Sequence, residues 1–141
     1  MKIAIGSDHR GYSQKNKIIQ QITDIEWIDV GCFSPERCDY PKYAKLVVNV
    51  IREKKADLGV LLCGSGIGMA IAANRFKGMY AGLVWSVPVA IKAREDDNVN
   101  IVVLPSDFIS DKESILIIKA WLQAKFKGGR YQERLSMIDE F

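Results

Sequence analysis

The stretch Leu58-Gly59-Val60-Leu61-Leu62-Cys63-Gly64-Ser65-Gly66-Ile67-Gly68 decides how this chain folds. Its first half is a continuous apolar run, and three glycines at alternate positions bring it to an end. A strand that does not alternate apolar with polar residues is buried on both faces, which is the signature of a parallel sheet covered by helices. The glycines open backbone geometry closed to residues with a Cβ and let a ligand approach the main chain. With a helix expected from about Gly68, the loop amides of Gly64, Gly66 and Gly68 and the helix N-terminus form a site for a negatively charged oxygen.

Working outward, similar short runs recur at Lys2–Gly6, Glu26–Val30, Tyr80–Val84 and Asn100–Leu104, making five strands in all. Helical patterns fall between them at about Ser13–Ile22, Pro41–Lys54, Gly68–Arg75, Pro88–Arg94 and Asp111–Gln123, with another from about Arg130 to the end. Such alternation predicts an α/β, doubly wound, five-stranded parallel sheet in a three-layer sandwich. Sites in such sheets lie beyond the carboxyl ends of the strands. Ser7-Asp8-His9 after the first strand and the Cys63–Gly68 loop after the third meet that expectation, and a polar cluster precedes the fifth strand.

A length of 141 residues suffices for one hydrophobic core and is short for two, so residues 1–141 are expected to form a single domain. The composition, 48% hydrophobic and 26% charged, is that of an ordinary globular protein. Twenty Lys and Arg stand against seventeen Asp and Glu, scattered apart from a loose basic group near the C-terminus, which gives no nucleic-acid footprint. No apolar run approaches a membrane span and the N-terminus enters a strand directly, so a cytoplasmic protein is expected. Cys32, Cys38 and Cys63 form no CxxC pair, and His9 is the only histidine, which leaves too few soft ligands for a zinc site. Reduced thiols and no metal are the expectation.

The loop is not a dinucleotide fingerprint, because Met69 or Ile71 stands where a third Gly or Ala belongs, and it carries no Walker lysine. A cysteine-dependent phosphatase would need Arg six positions after the nucleophile, where Met69 stands. Cys63 itself, at a strand end facing a helix N-terminus, gains about 0.3–1 kcal/mol as thiolate from the dipole. That predicts a partly ionised thiol at neutral pH, poised for proton transfer. Cys32 and Cys38 lack such a setting and read as small buried hydrophobes.

Ile3-Ala4-Ile5-Gly6-Ser7-Asp8-His9-Arg10-Gly11-Tyr12, Asp39-Tyr40-Pro41, Cys63–Gly68 followed by Ala72-Ala73-Asn74-Arg75, and Gly128-Gly129-Arg130 with Arg134 together resemble the ribose-5-phosphate isomerase B family, which includes the galactose-6-phosphate isomerase subunits. The resemblance implies a Rossmann-like sheet, no cofactor, and an active site shared across a homodimer or a dimer of dimers. It assigns Cys63 the proton shuttle between carbons 1 and 2 of an opened sugar phosphate through an enediolate. Ser65 and the loop amides would stabilise the developing charge. Asp8 and Tyr40 match positions that hold sugar hydroxyls, and His9, Arg130 and Arg134 match positions that bind phosphate. Arg130 and Arg134, four residues apart, also share one helical face and can clamp a dianion. Asn100 is carried over as a further substrate-binding position.

Two departures stand out. The family usually reads Ala-Arg-x-His-Asn-Asp-x-Asn-Val before the fifth strand, with the His credited with opening the furanose ring. Here Ala93-Arg94-Glu95-Asp96-Asp97-Asn98-Val99-Asn100-Ile101 places Asp96 at the His position. After that strand a Gly-Ser-Arg pattern, whose arginine binds phosphate, is replaced by Pro105-Ser106-Asp107. Both changes are expected in the segment that a partner subunit lends. Asp96 then substitutes as ring-opening base, or spontaneous opening suffices. Alternatively the chain is one half of a heteromeric isomerase, or a non-catalytic sugar-phosphate-binding homologue.

Overall fold

A computed structural model describes all 141 residues as a five-stranded, all-parallel sheet flanked by helices. In chain order the elements are β1 (Lys2–Ser7), α1 (Tyr12–Gln21), β2 (Glu26–Gly31), α2 (Tyr40–Arg52), β3 (Leu58–Cys63), α3 (Ile67–Asn74), β4 (Ala81–Leu83), α4 (Val87–Asp97), β5 (Ile101–Pro105), α5 (Asp111–Gln123) and α6 (Arg130–Asp139). The strand order is β2-β1-β3-β5-β4. The chain therefore winds outward in one direction through β2 and in the other through β5 and β4. The reversal falls between β1 and β3, where Ser7 pairs with Leu62. Connections leave that point on opposite faces of the sheet and open a crevice at its carboxyl edge.

Successive strand residues supply two separate cores, as the pleat requires. Ile3, Ile5, Val60, Leu62, Val102 and Leu104 pack with Ile18 of α1, Ala90 of α4 and Ile117, Ile118 and Trp121 of α5. Ala4, Leu61, Cys63, Ile101 and Val103 face Ala44, Val47 and Val48 of α2 and Met69 and Ala73 of α3. Six fully buried strand side chains on one face, at about 1.5–3 kcal/mol each, outweigh any single local preference of the chain. This is why the continuous apolar runs located the strands.

The helix ends follow local chemistry. Ser110 and Glu113 form a reciprocal capping box at the start of α5, with Ser110 Oγ accepting from Glu113 N at 3.0 Å. α4 runs three residues past its expected end at Arg94, to Asp97, and stops at Asn98, which adopts a left-handed conformation with φ of 45°. Arg94 secures that stop by donating to Asn98 Oδ1 at 2.9 Å and to Val99 O at 3.2 Å. The polar cluster before β5 thus lies at the amino edge of the sheet, opposite the edge where sites are expected. No helix is long and apolar enough to cross a membrane.

Candidate active site

One cleft opens at the carboxyl edge over the reversal point. It is lined by Asp8 and Arg10 from the β1 loop, Tyr40 from α2, Cys63, Gly64, Ser65 and Gly68 from the β3 loop, and Asp107 and Phe108 after β5. Asp8 is 5% exposed, and its Oδ1 accepts from Arg10 N at 2.9 Å and Gly11 N at 3.1 Å, which shapes the turn into α1. Its second oxygen is left for a ligand. His9 lies beside the cleft with Nδ1 against the backbone of Cys38, 3.2 Å from its O and 3.3 Å from its N, so Nε2 is the atom left to meet a ligand.

The glycines act through contact as well as conformation. Gly66 holds φ of 77°, and a Cβ there would lie 2.4 Å from Leu83. At Gly68 a Cβ would sit 2.5 Å from the Tyr40 ring, so this glycine lets Tyr40 close onto α3. A Cβ on Gly64 would meet Arg10 Nε at 2.7 Å and Asp107 Oδ2 at 2.8 Å. Ser65 Oγ accepts from Ile67 N at 3.2 Å, which occupies the oxygen and leaves its proton free to donate.

Cys63 is 5% exposed. Burial pushes its thiol above the ordinary value, and backbone hydrogen bonds from Met69, Gly66 and Ser65 offset part of that shift while the Asp8 charge adds to it. The expected partly ionised thiol is therefore corrected: desolvation outweighs the helix terminus, and the resting group is the neutral thiol.

The remaining sequence-derived residues do not join this cleft. Cys63 is level with Pro105 at the end of β5, whereas Asp96 belongs to α4, which finishes before β5 begins. A five-residue strand at about 3.3 Å per residue separates those edges by roughly 15 Å. At the amino edge Asp96 pairs with Lys127 at 3.3 Å. Lys127, Arg130 and Arg134 converge on the Tyr131 ring at 5.3, 5.4 and 5.5 Å from its centroid. Arg130's hydrogen bond and the Lys127 charge hold the Tyr131 phenol below its usual value.

Asn100 is corrected to a brace, because its Oδ1 accepts from Tyr80 N at 2.8 Å and its Nδ2 donates to Gly78 O at 3.0 Å. Both ends of the amide thus hold the turn before β4. Asp107, expected in a segment lent to a partner, lines the same cleft as this chain's own Cys63 and is ion-paired with Arg10. Arg10 joins the cleft although no role follows for it from the motif; its place directly after Asp8-His9 at a strand end is the signal that points there. Lys127 carried no such signal, and Tyr131 showed only in its position between two arginines. No group of three or more His, Cys, Asp or Glu side chains is arranged to hold a metal ion.

The ribose/galactose isomerase family model matches residues 3–138. Ribose-5-phosphate isomerase B of Escherichia coli K12 is 38% identical over 140 residues, covering 97% of this chain and 93% of that protein. Among solved structures, a ribose 5-phosphate isomerase from Thermotoga maritima superposes with a TM-score of 0.97 at 44% identity, covering 99% of this chain and 98% of that one. Ribose-5-phosphate isomerase B from Mycoplasma genitalium, solved with bound ribulose-5-phosphate, gives 0.92 at 39% identity, covering 99% and 94%.

Proposed function

The chain belongs to the ribose/galactose isomerase family, and from that premise we propose that it interconverts ribose 5-phosphate and ribulose 5-phosphate through an enediolate with Cys63 as the base. The observation that carries this reading is a thiol ringed by backbone amides in a cleft beside two carboxylates. Cys63 removes the proton from carbon 2 of the opened aldose and returns it to carbon 1, while the proton of the carbon-2 hydroxyl passes to oxygen 1, so that carbon 2 becomes the ketone and carbon 1 the hydroxymethyl group. Negative charge then develops on the carbonyl oxygen, where the free proton of Ser65 and the loop amides can meet it. Asp8 and Tyr40 hold sugar hydroxyls, and the loop needs no resident cofactor for these steps.

The working site in this proposal is shared by two copies of the chain. Arg130, Arg134 and Asp96 lie at the opposite edge from Cys63, so one subunit offers the cleft and another the phosphate clamp. Asp96, held by Lys127, is the carboxylate available to take the anomeric proton during ring opening. One observation supports assembly: Ile67 and Ile71 of α3, 55% and 57% exposed, form an apolar strip one turn apart beside the cleft. A homodimer, or a dimer of dimers, working in the cytoplasm is the expected form.

Purified protein assayed with ribulose 5-phosphate tests the reading, with allose and galactose 6-phosphates in parallel. Conversion of the pentose phosphate is expected. Conversion of a hexose phosphate alone would redirect the substrate, and silence with all three would favour the heteromeric or the non-catalytic alternative.

A further inference from the structure

Arg10 is the one basic side chain among those lining the Cys63 cleft. Its guanidinium bridges the cleft mouth to Asp107, the two meeting above Gly64, where a Cβ would touch both. The Arg10 side chain is nevertheless 58% exposed, and one of its five donors serves Asp107. The others remain free, in the fork geometry that suits a phosphate. Asp107 is itself anchored, since its N donates to Gly64 O at 3.0 Å, tying the post-β5 turn to the glycine loop.

We propose that Arg10 is a substrate-binding residue for the phosphate dianion, and that Asp107 is its positioning residue, holding the guanidinium over the glycine loop until substrate arrives. This rests on the isomerase reading for the identity of the substrate, though not for the binding of phosphate. A carboxylate at position 107 looks inhospitable to an anion when considered alone. Paired with Arg10, its charge is already spent, and the dianion competes for the same guanidinium with twice the formal charge. A cation that the sequence denies to the turn after β5 is thereby supplied from the turn after β1.

The test compares wild type with Arg10→Met, Asp107→Asn and the double variant, using ribulose 5-phosphate as substrate and inorganic phosphate as inhibitor. Arg10→Met should raise KM by about ten- to a hundredfold, the loss expected for one charged hydrogen-bonding partner, and leave kcat within about threefold. The inhibition constant of inorganic phosphate should rise by the same factor. Asp107→Asn should tighten phosphate in the Arg10→Met background, where only repulsion remains, and fail to do so with Arg10 present, where it also loosens the guanidinium. Unchanged KM and phosphate inhibition in Arg10→Met, or a fall in kcat at constant KM, would overturn the assignment by placing Arg10 away from the phosphate. If wild type proves inactive, calorimetric titration with inorganic phosphate decides the point separately. Arg10-dependent binding sustains this inference while the isomerase reading fails, and binding equal in both proteins refutes it.

Discussion

At the scale of single residues, the chemistry of Cys63 is a contest between desolvation and amide dipoles, and burial wins. The position of the thiol was legible in the sequence because a strand end and a glycine loop bracket it. Its ionisation was not, because that depends on how completely α2 and α3 cover it. The consequence is directional: in the proposed mechanism the thiolate is the competent base, so kcat/KM should climb with pH through neutrality and still be rising near pH 9, the ordinary thiol value. A profile flat from pH 6 upward would assign the proton transfer to another group. Lys15 gives the opposite lesson. In sequence it is one polar residue on α1, yet it is fully buried, with Nζ 2.7 and 2.9 Å from the Asp29 carboxylate and 2.8 Å from Cys32 O. Local pattern cannot reveal an ion pair made across a sheet edge. Lys15→Met should cost about 3 kcal/mol, seen as a lowered denaturation midpoint with an unchanged slope, because Asp29 and a carbonyl lose their cation.

At the scale of elements, five strands and six helices can be read from periodicity, and the three residues by which α4 outruns its expected end have a physical cause. Glu95, Asp96 and Asp97 crowd a helix C-terminus, where negative charge opposes the dipole, so local reasoning ends the helix at Arg94. Tertiary contacts reverse that preference: Lys92 and Lys127 pair with Glu95, Lys127 with Asp96, and Arg94 ties down the exit. α6 is fastened by equally few points. Leu135 is its one buried side chain, and the Tyr80 hydroxyl donates to Asp139 at 2.6–2.7 Å. Burial, reinforced by Asp139, pushes the Tyr80 phenol up to about 12 from 10.0. With the folded value raised, the contribution of this bond is present below pH 10 and disappears as pH rises through 12. Tyr80→Phe should lose about 1 kcal/mol, discounted for partial exposure, and should speed amide hydrogen exchange in α6 ahead of the sheet. Because α6 carries Arg130 and Arg134, the proposed site adds a rise in KM larger than any change in kcat.

At the scale of the whole molecule, the sequence named most members of the proposed site and the family resemblance divided it between subunits, without placing Arg130 and Arg134 on the same edge as Asp96. Strand order and helix direction, which place the end of α4 opposite the end of β3, are properties of the assembled sheet. In the proposed dimer this separation makes complementation measurable. Cys63→Ala and Arg134→Ala homodimers should each be nearly inactive. Mixed, unfolded together and refolded, they should recover about one quarter of wild-type activity, since half the dimers are hybrids and each hybrid has one intact site in two. Recovery of nothing would place the cleft and the clamp of each working site on the same chain. The opposed edges also bear on descent. After gene duplication, one copy can erode at its cleft and the other at its clamp, and the pair still keeps one working site in two, so selection preserves both genes as obligate companions although neither alone encodes an enzyme.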